Sequence, residues 1–257
     1  MEPNATLLIA MILAFVVAFV FSMFGQGGGS VYSPLFILLG YSILLSTSTS
    51  LVLNLITSIS AGYIFYRKKM IDFRTSLIFA PGISLGAFAG GALSKYFNTG
   101  FLLGLFVIFL VVVGVRMIIS YWEKGEVEAK SLPKLSTAML ILIAIFGLVV
   151  GFIAGLLGVG GGIFIVPFMV YVCKYPTKVA AGSSHLIISF SALSGILGHA
   201  TSHAFDIPLV LATGAAVLMG GNLGARLSMN FKVQTIRAGL GLIMLAFAAQ
   251  ILFKLLG

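Results

Sequence analysis

The sequence predicts an all-α polytopic integral membrane protein made of two homologous halves. Three observations carry that prediction. The composition is too apolar for a water-facing surface, the charge-free runs are long enough to cross a bilayer, and an internal repeat places glycines, a proline and an aspartate in the same order twice. The 257 residues are 60% hydrophobic and only 8% charged, with a mean hydropathy of +1.18, a balance that excludes an ordinary soluble domain. No charged side chain stands between Glu2 and Arg67, and further charge-free runs cover 75–94, 96–115, 135–173, 179–205 and 207–225. Each can supply a spanning helix, because about 20 residues at a 1.5 Å rise cross a hydrocarbon core of roughly 30 Å.

The net charge of +9 does not point to nucleic acid. Its cations sit in short segments between apolar runs, where they read as topology signals. Cys173 is the only cysteine, so neither an intrachain disulfide nor a cysteine-based metal cluster is expected. Residues 5–24 have the apolar core of a secretory leader, but no basic segment precedes them and they have a counterpart at about 138–157. They are therefore read as a structural helix.

Laid on itself with a shift of about 133 residues, the chain pairs GQGGGSVYSP from Gly25 with GVGGGIFIVP from Gly158. A one-residue insertion later, Tyr41 meets Tyr175, Thr49-Ser50 meets Ser183-Ser184, and Asp72 meets Asp206. Gly86 and Gly90 likewise meet Gly220 and Gly224. The expected organisation is a first repeat over 1–122, a polar linker over 123–136 and a second repeat over 137–257. In the first repeat the helices fall at roughly 5–24, 29–40, 45–66, 73–95 and 100–121. Each half is a glycine-broken helix hairpin followed by three transmembrane helices.

The basic residues choose the relation between the halves. If the short piece after the glycines does not reverse, the fifteen cations divide roughly nine against six between the two faces, a weak bias. If it turns back, all but Lys95 and Lys254 fall on one side, as cytoplasmic loops require. Inverted repeats with both termini outside are the expectation.

Triple glycines are poor helix interior, costing about 1 kcal/mol each relative to alanine, and freed amides cost more in hydrocarbon. Pro34 and Pro167 extend each irregularity, since proline lacks an N–H. Two such breaks meeting from opposite faces could hold one anion on main-chain donors. The candidate substrate-binding residues are Gln26, Gly27, Gly28, Gly29 and Ser30 in the first break, and Gly160, Gly161 and Gly162 in the second. Thr49, Ser50, Asn54, Ser183, Ser184 and His185 on the following helices complete the set. Each has a structural alternative: close packing for the glycines, capping or back-bonding for the hydroxyls, and an interhelical hydrogen bond for Asn54. His185 stands where the first half has Leu51. It is either a proton-sensitive element or a neutral histidine bonded to a neighbouring helix.

His199 and His203 have a metal-compatible spacing but no accompanying ligand nearby in the sequence, so no metal or cofactor is expected. Asp72 and Asp206 read as helix N-caps. Gly86-x-x-x-Gly90 and Gly220-x-x-x-Gly224 read as close helix contacts. Ser183 or Ser184 with His185 does not make an enzyme, since neighbours on one helix do not face each other.

GQGGGSVYSP and GVGGGIFIVP, with the aspartate before the small-residue packing motif, resemble the sulfite exporter TauE/SafE family over nearly the whole chain. Gln26 departs from the second copy, which has Val159. The resemblance implies a multi-pass protein of the cytoplasmic membrane that moves small anions such as sulfite, thiosulfate or sulfoacetate. It fixes neither the anion nor the oligomeric state. An exporter working by alternating access is the leading expectation; an anion channel, a passive membrane subunit and a proton-coupled importer are the alternatives.

Overall fold

The computed structural model describes residues 3–122, 132–133, 135–200, 205–228, 242, 245–246 and 248–253. Most of the expected linker, the final segment of the second repeat, His203 and the cations Lys124, Lys130, Lys134, Lys232, Arg237 and Lys254 lie outside them. The first half contains α1 (Pro3–Ser22), α2 (Gly29–Leu38), α3 (Ile43–Arg67), α4 (Phe73–Leu93), a 3-10 turn (Ser94–Tyr96) and α5 (Thr99–Trp122). The second contains α6 (Thr137–Leu157), α7 (Gly162–Pro167) continued by a π-helix (Phe168–Val172), α8 (Thr177–Ala200) and α9 (Ile207–Leu227). No strand occurs among the described residues, and five helices are long and apolar enough to cross a membrane. The sequence did not signal the π-helix; its first-half counterpart, the end of α2, is ordinary α-helix.

The ends of these helices are set by local chemistry. Asp72 caps α4, its side chain accepting from the Arg74 N–H at 3.1 Å, and Asp206 caps α9, accepting from the Leu209 N–H at 2.9 Å with proline in the first turn. Ser42 and Ser136 cap α3 and α6 in the same way. Each cap satisfies a donor that the helix leaves unpaired, worth about 1 kcal/mol.

The halves are interlocked rather than side by side. α6 of the second half lies along α4 of the first, and α1 of the first lies along α9 of the second. Glycines set both seams. A Cβ added at Gly86 would run into the Leu148 carbonyl and one at Gly90 into that of Phe152; Gly220 and Gly224 meet the carbonyls of Phe15 and Phe19 in the same manner. Both seams are parallel, since residue numbers rise together along the paired helices. Without a hydrophobic drive between helices in lipid, this close backbone approach supplies the dispersion and Cα–H···O contacts that hold them.

α3 and α8 form the centre and run antiparallel: Phe65 lies beside His185, with ring centroids 5.5 Å apart, while Leu51 lies beside Gly195. The hairpins turn back after their glycines. α6 climbs along α4, and the returning π-helix stacks Phe168 on Phe146 at 3.9 Å before Tyr175 reaches Thr75, at the start of α4. In the first half, Tyr32 and Phe36 of α2 share a core with Ala10, Ala14 and Leu209, so α2 returns towards the start of α9.

Gly86→Val should therefore push α4 off α6. Overpacking of this kind costs about 1–3 kcal/mol, and a thermal melt of the detergent-solubilised protein should show a lower midpoint than wild type.

Candidate functional site

The two glycine breaks meet at the middle of the protein. In each, three glycines occupy the left-handed region that other residues avoid: Gly25, Gly27 and Gly28 at φ 71°, 72° and 105°, and Gly158, Gly160 and Gly161 at 72°, 74° and 79°. The repeat extends to these angles, so the main chain bends the same way twice. The remaining glycine of each triplet makes room for the other break: a Cβ at Gly29 would meet the Val159 carbonyl, and one at Gly162 would meet the backbone of Gln26.

At the breaks several carbonyls are held by side-chain donors, while several amides have no partner. Ser50, on α3, donates to Gly158 O at 2.7 Å and to Gly29 O at 3.1 Å. Ser184, on α8, donates to Gly25 O and to Ala181 O. Because Gly25 and Gly158 are equivalent, and Ser50 and Ser184 are equivalent, each hydroxyl holds the break of the opposite half. In contrast, the N–H groups of Gly27, Gly29 and Ser30, and of Gly160, Gly161, Gly162 and Ile163, have no carbonyl partner among the described residues.

Asn54 sits between the breaks, near the midpoint of α3. Its Nδ2 donates to Val159 O at 3.3 Å. A Cβ at Gly27 would run into its Oδ1, and one at Gly160 into its Nδ2, so the carboxamide is wedged between two equivalent glycines. The residue equivalent to Asn54 is Ile188, which packs against Gly160 and Gly162. The two halves therefore differ here, a carboxamide against Gly27 and Gly160 being matched by an aliphatic side chain.

The other candidates separate into two groups. Gln26 and Ser30 lie in the first break, buried, with Oε1 and Oγ lacking a hydrogen-bond partner. Thr49 is also buried with its hydroxyl unpartnered. Ser183 instead accepts the Asp72 N–H at 2.8 Å, tying α8 to the cap of α4. His185 Nε2 lies 3.0 Å from Ser22 O, which places its hydrogen on Nε2, because a carbonyl only accepts. Ser183, Ser184 and His185 thus have three separate partners and form no nucleophile–base relay. In the STSTS segment, Thr47 and Ser48 bond back to their own helix at 2.9 and 3.1 Å. His199 Nε2 lies 2.9 Å from Gly155 O.

Sequence reasoning missed two features. Tyr32 reaches Thr57 at 2.9 Å under the first break, and nothing in the local pattern singles that pair out. Tyr175 donates to Asp72 Oδ2 at 2.5 Å and lies 2.6 Å from the Thr75 hydroxyl. The repeat alignment had marked both residues but could not show that Tyr175 pairs across the halves. Burial, and then the Asp72 carboxylate, raise the Tyr175 pKa above the ordinary phenol value, so the hydroxyl stays protonated and donates.

An apolar helical bundle with unpaired main-chain donors buried at its centre defines a polytopic membrane protein of the transporter class. The match to the model of the family described as Sulfite exporter TauE/SafE covers residues 10–251, and the chain belongs to that family. It is 28% identical over 266 residues to the probable membrane transporter protein YunE of Bacillus subtilis, covering 96% of this chain and 97% of the relative. It is 25% identical over 244 residues to the probable membrane transporter protein MJ0441 of Methanocaldococcus jannaschii, covering 88% of each. Similarity to the probable membrane transporter protein y4hK of Sinorhizobium fredii is 29% over 224 residues, 84% of this chain and 86% of that one. No solved structure matches the chain.

Replacing Ser50 or Ser184 by alanine leaves break carbonyls in hydrocarbon without their donor, a loss of about 1–3 kcal/mol each. Equal falls in thermal stability for Ser50→Ala and Ser184→Ala are expected, and a fall confined to one of them would contradict the equivalence of the two crossed bonds.

Proposed function

We propose that the protein carries a small oxyanion, sulfite or a related organosulfur anion, across the cell membrane by alternating access around the paired breaks. One observation carries this reading: two buried breaks with unpaired N–H groups lie against each other around Asn54, with no cationic side chain among the site residues. Amides at the starts of half-helices hold anions through hydrogen bonds and aligned dipoles, and a low-dielectric surrounding strengthens both. The hydroxyl of Ser30 and the amides of Gln26 and Asn54 add polar contacts around that centre. Ser50 and Ser184 fix the loops that present the donors, and Ser183 and His185 brace the helices behind them.

The chain is read as two inverted repeats. The returning hairpins and the antiparallel run of α3 and α8 support this, as does the crowding of Arg67, Lys68, Lys69, Arg74, Lys174 and Lys178 at one end of the bundle. By the charge rule that end is cytoplasmic. An interior-negative potential of 100 mV then favours exit of a monoanion by about 2.3 kcal/mol, roughly 40-fold. Export therefore needs no coupling ion.

Gly28→Leu and Gly161→Leu each force a side chain into a left-handed backbone position, beside the Tyr32 ring and Val150 respectively. Both variants should insert into the membrane and yet lose sulfite flux in vesicles loaded with purified protein; normal flux in both would remove the breaks from the pathway.

A further inference from the structure

The repeat places the same three residues at both ends of the bundle. Tyr175, Asp72 and Ser183 lie at the arginine- and lysine-rich end, and their equivalents Tyr41, Asp206 and Thr49 lie at the other. Each set draws residues from both halves, because the tyrosine ends one hairpin and the aspartate opens a helix of the opposite repeat.

The two sets differ in their bonding. At the basic end, Tyr175 donates to Asp72 Oδ2 at 2.5 Å and Ser183 Oγ accepts the Asp72 N–H at 2.8 Å. Ser76, one turn further along α4, adds a bond to Ser183 O at 3.4 Å. At the opposite end none of the equivalent bonds forms among the described residues. Thr49 Oγ1 is buried without a partner, and Asp206, which caps its helix through Oδ1 as Asp72 does, lacks the second bond that Tyr175 gives to Asp72 Oδ2. Tyr41 remains near enough to respond to Asp206, since burial first and that carboxylate second raise its pKa.

We infer that Tyr175–Asp72–Ser183 and Tyr41–Asp206–Thr49 are the two gates of the transport path, the first latched and the second released in this conformation. Latching joins the end of a hairpin to the helix cap of the other repeat, which closes the route from that face to the glycine breaks. Release at one end and latching at the other exchange Tyr175–Asp72 and Asp72–Ser183 for Tyr41–Asp206 and Asp206–Thr49. Thr75 and Ser76 are matched by Leu209 and Val210, so the basic end holds two further bonds when latched. The inference rests on the alternating-access reading above but not on the identity of the anion.

The test uses reporter cysteines beside each break in a Cys173→Ser background: Ala181→Cys, facing Gly25, and Thr47→Cys, facing Gly158. A membrane-impermeant maleimide is applied to each face of vesicles containing no anion substrate. Tyr175→Phe should raise labelling of the first reporter from the basic face about tenfold, the effect of losing one charge-assisted hydrogen bond, and lower labelling of the second. Tyr41→Phe should move both rates in the opposite directions. Ser183→Ala, which removes the acceptor of the Asp72 N–H, should shift the rates as Tyr175→Phe does and stands in for it if that variant does not reach the membrane. Shifts in the same direction for Tyr175→Phe and Tyr41→Phe, or unchanged rates in Ser183→Ala, overturn the gates. Sulfite flux in the same vesicles separates the two readings. Reciprocal labelling without flux sinks the substrate and keeps the gates, whereas flux without reciprocal labelling does the reverse.

Discussion

A broken helix in hydrocarbon must find partners for the main-chain groups that the break releases, and this fold is organised around that requirement. Water cannot supply them, and each unpaired group costs several kcal/mol in the bilayer core. Here most of the carbonyls are answered by protein, while seven of the amides are not. Ser50 and Ser184 reach across to carbonyls of the opposite half, and Asn54 takes a third at Val159. What remains at the centre is a set of amides without a carbonyl partner among the described residues. The same crossed bonds make each half incomplete without the other.

Much of the fold was legible in the sequence because its governing signals are local or periodic. Runs without charge gave the spans, Asp72 and Asp206 gave two helix starts, and the Gly86 and Gly220 spacings gave the close seams. The repeat gave more than any single motif, since a residue matched to its counterpart is placed twice. What the sequence could not supply was partnership. Ser183 and Ser184 are adjacent, yet one braces a helix cap and the other holds a glycine break. Side-chain direction on a helix changes by about 100° per residue, so neighbours serve different surfaces. His185, the most chemically suggestive residue of the group, bonds to Ser22 O and serves the end of α1. The Tyr175–Asp72 contact depends on where the returning hairpin stops, and no local pattern encodes that.

Departures from the repeat are as informative as the repeat itself. Asn54 lies against Gly27 and Gly160, whereas its match Ile188 lies against Gly160 and Gly162. The π-helix after Pro167 has no twin in α2, and it delivers Tyr175 to Asp72 at the latched end. His185 replaces Leu51, and His199 replaces Phe65, so imidazoles occur only on α8 among the described residues. Equivalent positions thus carry a shared frame, while the substitutions make the two ends of the bundle behave differently.

The parallel seam between α1 and α9 has a consequence for biosynthesis. α1 is synthesised before α9, and the glycines that receive Phe15 and Phe19 are Gly220 and Gly224, about 200 residues later. At roughly 5–20 residues per second, the nascent chain waits about 10–40 seconds for its packing partner. During that interval the first break sits in lipid with neither α9 nor the Ser184 hydroxyl available. Assembly of the membrane-inserted chain is therefore a late event, governed by completion of the second repeat, and the unfinished first repeat is the stage at which quality-control proteases have the most to recognise.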